Sequence, residues 1–361
     1  MDFVEVGGLN IAYERAGRGP PIVLLHGYVG DGPTTWRQQL DGLSDEFTIV
    51  AWDAPGAGRS ADPPERFGLD GYADCLAGFL EQLGLHSACV TGLSFGGTLA
   101  LALQRRHSAM SSALILASAY AGWAGSLPPS VAEHRLRQAL ALADGAPEAF
   151  VHALLPTMFS KTMPPEIEDN FRATMRAFHP PGFRAMARAS AEDVRDVLPH
   201  IKAPTLLVYG DRDVRAPLTV AEALQAAISD SRLVVLPDAG HLCNIEAPSE
   251  FNDAARGVPP PGPRLEATDA GSLRLSDTLR AAQLVAAPGS RGAVREPPTH
   301  KAAVRHDLPT TTKYSPGNRR SKPDEMLCRS RTAPRCERSS DQSPCGSRSS
   351  RASMKGPHLV S

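Results

Sequence analysis

The sequence predicts an α/β protein. Its central sheet is mostly parallel, with helices on both faces and a helical cap inserted between two of the later strands. Three observations point there. Short apolar runs recur along the first 250 residues, and helical patterns separate most of them. The runs are continuously apolar and not alternating, as suits strands covered on both faces. The rhythm then breaks for some eighty residues that read as helix alone.

Taken in order, FVEVGG and NIAYERAG form an antiparallel pair at one sheet edge. The later strand candidates are PIVLLHG (21–27), FTIVAWD (47–53), SACVTGL (87–93), SALILAS (112–118), PTLLVYG (204–210) and RLVVLPD (232–238). Helical patterns lie near 34–43, 70–84, 95–107, 218–228 and 243–255. Between Ala121 and Pro199 the segments VAEHRLRQALALA, APEAFVHALLPTMF and EIEDNFRATMRAF are helical, punctuated by Pro-Pro pairs. Such a block cannot extend the sheet, so it is expected to lie over the strands' C-terminal edge. Trp123, Met158, Phe159, Met163 and Phe178 are its candidate substrate-pocket residues, although packing among cap helices is the better account of any single one.

Composition divides the chain into a folded part, 1–257, and a tail, 258–361, rich in Pro, Ser and Arg. After Val258 there are 18 Lys/Arg and 9 Asp/Glu, leaving 20 and 30 before it; the net charge of −1 therefore hides a front part near −10 and a tail near +9. Tyr314 is the tail's only aromatic residue, so the tail lacks core material and is expected to be disordered. An acidic folded part does not point to nucleic acid. The cysteines form no C-x-x-C pair, and three of the six lie in the folded part, which suggests reduced thiols and no zinc site. MDFVEVGGLN has no signal-peptide pattern, and no apolar run approaches a membrane span. The expectation is a cytoplasmic protein without a membrane partner; its oligomeric state stays open.

The chemistry begins at ACVTGLSFGGTLALAL (88–103), where a strand pattern gives way to a helix pattern around Ser94. Gly92-Leu93-Ser94-Phe95-Gly96 fits a G-x-S-x-G nucleophile elbow, though a serine N-cap on an ordinary helix would read the same. A serine nucleophile needs a base and a carboxylate that orients the base. His241 follows Gly240 directly after the last strand. His86, His107, His134, His152, His179 and His200 lie on helical patterns or their ends, and His26 suits a structural hydrogen-bonding role. The loop after SALILAS has no acid, whereas the loop after PTLLVYG has Asp211 and Asp213. Asp213 is chosen as the acid and Asp211 as the turn cap. Backbone amides of Tyr28 and Phe95 are the candidate oxyanion donors.

These residues together resemble the α/β-hydrolase superfamily. The match comprises His26-Gly27, the run Asp53–Ser60 (DAPGAGRS), Gly92–Gly97, Gly210-Asp211-Arg212-Asp213 and Gly240-His241, in the family's order over residues 1 to about 255. The resemblance implies a Ser94–Asp213–His241 triad and favours Asp213 over Asp211. The run HLCNIEAP (241–248) and the segment leading into GDRD are similar to those of 3-oxoadipate enol-lactonase-like hydrolases. The function expected is cofactor-independent hydrolysis of a small carboxylic ester or lactone. Carbon–carbon bond hydrolysis, perhydrolysis and slow-turnover ligand reception are the alternatives. Ser94 argues against the epoxide hydrolases and haloalkane dehalogenases of this fold, which use an aspartate nucleophile. The resemblance fades near Ala255, so the last core helix is expected to be short.

Overall fold

A computed structural model describes residues 1–258. The expectations for the tail lie outside the described residues. The strands are β1 (Asp2–Val6), β2 (Leu9–Ala16), β3 (Pro21–Leu25), β4 (Thr48–Trp52), β5 (Ala88–Leu93), β6 (Ser111–Ala117), β7 (Thr205–Gly210) and β8 (Ser231–Leu236). They form one sheet in the order β1-β2-β4-β3-β5-β6-β7-β8. β1 pairs antiparallel with β2, and β2 with β4; all pairings from β4 to β8 are parallel. Every residue of β4, β5 and β7 is buried, as in strands covered on both faces. β8 keeps only Leu236 fully buried, because it is an edge.

The crossover helices are α1 (Gly32–Leu43), α2 (Gly68–Gln82) and α3 (Phe95–His107). Asp31 caps α1 by accepting from the Thr34 amide at 2.8 Å. The cap comprises α4 (Trp123–Ser126), α5 (Pro129–Ala143), α6 (Pro147–Leu154), α7 (Pro165–Arg176) and α8 (Pro180–Ser190), with short 3₁₀ turns between and after them. Each of the last four opens on a proline at its first position, where the missing N–H has no helical partner to lose. α9 (Leu218–Ala227) joins β7 to β8.

The final helical pattern, expected to be continuous over 243–255, is two helices, α10 (Cys243–Glu246) and α11 (Pro248–Arg256). Pro248 cannot donate into the preceding turn, so the helix restarts there. α11 is short, as expected, yet firmly anchored. Phe251 packs against Trp36 of α1 with ring centroids 5.9 Å apart. Buried Gln39 donates to the Asn244 carbonyl at 3.1 Å and to Asn252 Oδ1 at 3.0 Å.

The cap lies over the C-terminal strand ends. The Leu242 amide donates to the Met158 carbonyl at 3.1 Å, and Phe183 of α8 stacks on Tyr28, which follows β3. No helix among the described residues is long and apolar enough to cross a membrane. Cys75, Cys89 and Cys243 are buried free thiols.

Candidate active site

The β5–α3 junction forces an unusual backbone. Ser94 has φ 52° and ψ −112°, a left-handed conformation that side chains rarely adopt. The flanking glycines permit the turn. A Cβ on Gly92 would lie 2.2 Å from the Gly96 carbonyl oxygen, and one on Gly96 would lie 2.1 Å from that of Leu25. A simple N-cap has extended backbone and a side-chain bond into its own helix. Ser94 has neither. The geometry is that of an elbow, and the serine is only 4% exposed beneath the cap.

His241 sits in the loop between β8 and α10, also buried. Its Nδ1 is 2.9 Å from Asp213 Oδ2. The other oxygen of Asp213 accepts from the Arg215 and Ala216 amides at 2.8 and 2.9 Å. Asp213 therefore both orients the imidazole and holds its own turn. Asp211, expected to cap that turn, is exposed and lies 3.7 Å from Arg212 Nε. Its side chain faces water, and the capping role belongs to Asp213.

Burial lowers the His241 pKa below its ordinary value of 6.5, against the opposing attraction of Asp213; the positive charges of Arg215 and Arg135 add to the lowering. Burial works to raise the Asp213 pKa, but the His241 charge and hydrogen bond and the two amides outweigh it, and the net shift is downward. The pair thus favours an ionised carboxylate beside a neutral imidazole. Ser94 and His241 lie on the same sheet edge, but among the described residues no hydrogen bond joins them. Such bonds are often long without substrate and tighten in the complex.

Phe95 opens α3, so its amide belongs to the first turn, which lacks helical partners. Tyr28 follows Gly27, and Gly27 packs against Ser94: a Cβ there would stand 3.6 Å from the serine Cβ. Both candidate oxyanion donors thus adjoin the serine in the chain or in space. His26 has the structural role expected of it. Its Nε2 accepts from the Ala54 amide at 2.9 Å and its Nδ1 donates to the Gly27 carbonyl at 2.6 Å, which fixes the tautomer.

Two cavities approach the site. One of about 430 Å³ runs along Tyr28, Phe150, Phe178, Phe183 and Met186. The other, about 620 Å³, reaches His241 past Phe159 and Ser160. Phe178 and Phe159 therefore border open space. Trp123, Met158 and Met163 line neither cavity and are packed into the core at 2, 2 and 7% exposure, Trp123 edge-on to Tyr28.

Three residues escaped the sequence reading. Glu246 is buried and accepts from the Gly240 amide at 3.0 Å and the Ser160 hydroxyl at 2.5 Å, joining the histidine loop to the cap. Arg215 donates to the Tyr28 hydroxyl at 2.7 Å, and Arg135 to the Tyr120 hydroxyl at 2.9 Å. Glu246 lies in the run 241–248 and Arg215 two residues from Asp213, but neither position by itself signals a role. Among the described residues, no cluster of three or more His, Cys, Asp or Glu side chains is placed to hold a metal ion.

Comparison with known proteins agrees with this geometry. Residues 22–254 match the alpha/beta hydrolase family. The chain is 31% identical to a malate-bound thermophilic esterase from Thermogutta terrifontis, with a TM-score of 0.66 over 71% of this chain and 97% of that one. It is 26% identical to the enol-lactonase from Burkholderia xenovorans LB400, with a TM-score of 0.64 over 71% and 98%. A protein from Enterobacter cloacae named as the carbamate hydrolase RutD is 28% identical over 242 residues, 65% of this chain and 89% of its own. With a family match across most of its described residues and an elbow serine on the expected strand, the chain belongs to the alpha/beta hydrolase family and is a hydrolase.

Proposed function

We propose that the protein cleaves a small carboxylic ester or lactone through an acyl-enzyme on Ser94. The observation that carries this reading is the buried His241–Asp213 hydrogen bond on the sheet edge that presents Ser94. Asp213 holds the imidazole with Nδ1 protonated, so that Nε2 is free to act as base. His241 takes the serine proton as Oγ attacks the acyl carbon. The Tyr28 and Phe95 amides donate to the oxyanion that forms. The imidazolium then protonates the leaving alkoxide as the C–O bond breaks. Water, deprotonated by the same imidazole, attacks the acyl-enzyme and releases the acid and free Ser94.

Phe150, Phe178 and Phe183 line one part of the 430 Å³ cavity and Asp31, Thr34, Asp53 and Arg59 another; its modest size supports a short acyl group. The relatives' names span an esterase, an enol-lactonase and a carbamate hydrolase, so a substrate panel must sample all three bond types. Acetate and butyrate esters or small lactones are expected to outrun dodecanoyl esters, with carbamates and carbon–carbon substrates slower. Preference for the long chain, or binding of all substrates without turnover, would overturn the proposal.

A further inference from the structure

The loop between β3 and α1 carries the Tyr28 amide, one of the two candidate oxyanion donors. Gly27 and Gly30 flank it, and Gly30 has φ 89°. Glycine leaves the backbone free, so an amide between two glycines stays aimed only if something outside the loop holds it. His26 fastens one end by donating to the Gly27 carbonyl, and Asp31 fastens the other by capping α1. In the middle the fastening is the Tyr28 side chain. Its buried ring is stacked on Phe183 and edge-on to Trp123. Stacking sets the plane of a ring but tolerates sliding within it. The Tyr28 hydroxyl removes that freedom by accepting from Arg215 Nη2 at 2.7 Å. Among the described residues the Tyr28 and Phe95 amides have no acceptor, which leaves both donors for a ligand.

Arg215 is itself firmly held. It is 8% exposed, and the nearby Asp213 carboxylate attracts its charge. Its amide donates to Asp213 Oδ1 at 2.8 Å. Its carbonyl accepts from the Tyr120 hydroxyl and from Arg135 Nη2. Its other terminal nitrogen, Nη1, donates to the Thr157 hydroxyl of the cap at 2.9 Å. The backbone of Arg215 thus belongs to the loop of the triad acid, while its guanidinium reaches the oxyanion loop 187 positions earlier in the chain. A planar guanidinium with donors on both sides spans such a gap with little freedom left to lose.

We propose that Arg215 is a positioning residue, which holds the Tyr28 hydroxyl and so fixes the oxyanion donor in one frame with Asp213. The inference rests on the proposed serine hydrolase reading and gives Arg215 no contact with substrate. A donor already aimed at the forming oxyanion stabilises the transition state without reorganising. A loop free to shift by about an ångström forfeits much of that, while binding of the uncharged ground state changes little. The guanidinium also belongs to the charges around His241. Asp213 faces the imidazole directly, Arg135 acts from α5, Glu246 holds Gly240, and Lys161, Arg212 and Asp238 line the adjoining cavity. Among these the positive charge of Arg215 opposes protonation of the imidazole.

The test uses the full chain with p-nitrophenyl butyrate as substrate and 1,1,1-trifluoropentan-2-one as a probe of the oxyanion donors. In the probe complex Ser94 Oγ bonds to the ketone carbon, the carbonyl electron pair moves to oxygen and the serine proton passes to His241. Tyr28→Phe and Arg215→Met should each lower kcat about tenfold or more, with KM within about threefold, and weaken the ketone by a similar factor. The double variant should be within about threefold of the slower single one, because the same hydrogen bond is lost in all three. Arg215→Lys keeps the charge and one donor, so it should recover part of kcat. The acid limb of kcat/KM should move to higher pH in Arg215→Met and stay in place in Arg215→Lys. Thr157→Val removes only the bond to the cap and should stay within about threefold of wild type. Tyr28→Phe is nearly isosteric and decides the matter if Arg215→Met does not fold. Losses that multiply in the double variant, a loss confined to KM, or a Thr157→Val loss as large as that of Tyr28→Phe would show that Arg215 only joins cap to core, and would overturn the proposal. An active wild type with kcat unchanged in Tyr28→Phe would overturn it alone. If the wild type turns over no ester, the serine hydrolase reading falls and this role falls with it.

Discussion

At the scale of residues, the two acids after β7 have opposite fates. Asp213 is buried against His241, and Asp211 faces water beside Arg212. Asp213→Asn is expected to lower kcat by about 10⁴-fold, because the imidazole loses its orientation and its counter-charge. Asp211→Asn should stay within about threefold of wild type, as surface substitutions do. Steady-state kinetics on one good ester checks both, and the reverse ranking would make Asp211 the acid. The pH profile follows from His241. The base must be neutral, and burial lowers its pKa, so the neutral form persists further into acid. Activity should fall as pH drops, with the acid limb of kcat/KM centred below 6.5. A limb centred above that value would contradict the burial argument. Ser94, Asp213 and His241 were legible because each sits in a short motif at the end of a strand. Arg215 could be seen only as a residue near an acid. Its partner Tyr28 is 187 positions away, a separation no local pattern encodes.

At the scale of elements, the sheet is legible strand by strand, with ends shifted by a residue or two, since its buried strands are apolar throughout. Two readings missed. The pattern over 243–255 looked like one helix because its apolar spacing continues through Pro248, and only the missing donor breaks it. β8 reads as a core strand, yet its place at the edge leaves every residue but Leu236 partly or fully exposed. The cap's position could be anticipated, but its fastening could not. Glu246 clamps Gly240 to Ser160, which lies 86 positions before Glu246 in the chain. Glu246→Ala should leave buried amide donors unpaired and lower stability by about 2 kcal/mol or more. It should also loosen the loop that carries His241, so that kcat falls as well. Urea melts alongside kinetics check this; unchanged stability would mean that the cap is held elsewhere.

At the scale of the whole molecule, stability should carry the mark of Asp53. This carboxylate follows β4 and ties together Gly32 and Arg59, accepting their amides at 2.9 Å. Burial pushes its pKa up to about 6 from 3.8. A raised carboxyl pKa means that the folded state binds the extra proton. The stabilisation is therefore full below about 4 and is lost as pH rises through about 6. A shift of that size corresponds to roughly 3 kcal/mol. Asp53→Asn cannot titrate, so the stability difference between wild type and variant should change by that order between pH 4 and 7. Urea midpoints across the range give the slope, and a difference independent of pH would show that Asp53 is ionised throughout.

The proposed chemistry turns on Ser94 as the nucleophile. Its strained backbone, its place on the sheet edge and its neighbours Phe95 and Gly27 support that proposed role. The most direct measurement is intact-mass and peptide mass spectrometry of the full chain after a fluorophosphonate probe, with Ser94→Ala as the comparison. One probe should attach, on the peptide that contains Ser94, with hydrolytic activity lost in step with labelling. The Ser94→Ala protein should take up none and should turn over about 10⁶-fold more slowly. Labelling elsewhere with Ser94 untouched, or full activity in the Ser94→Ala protein, would contradict the account.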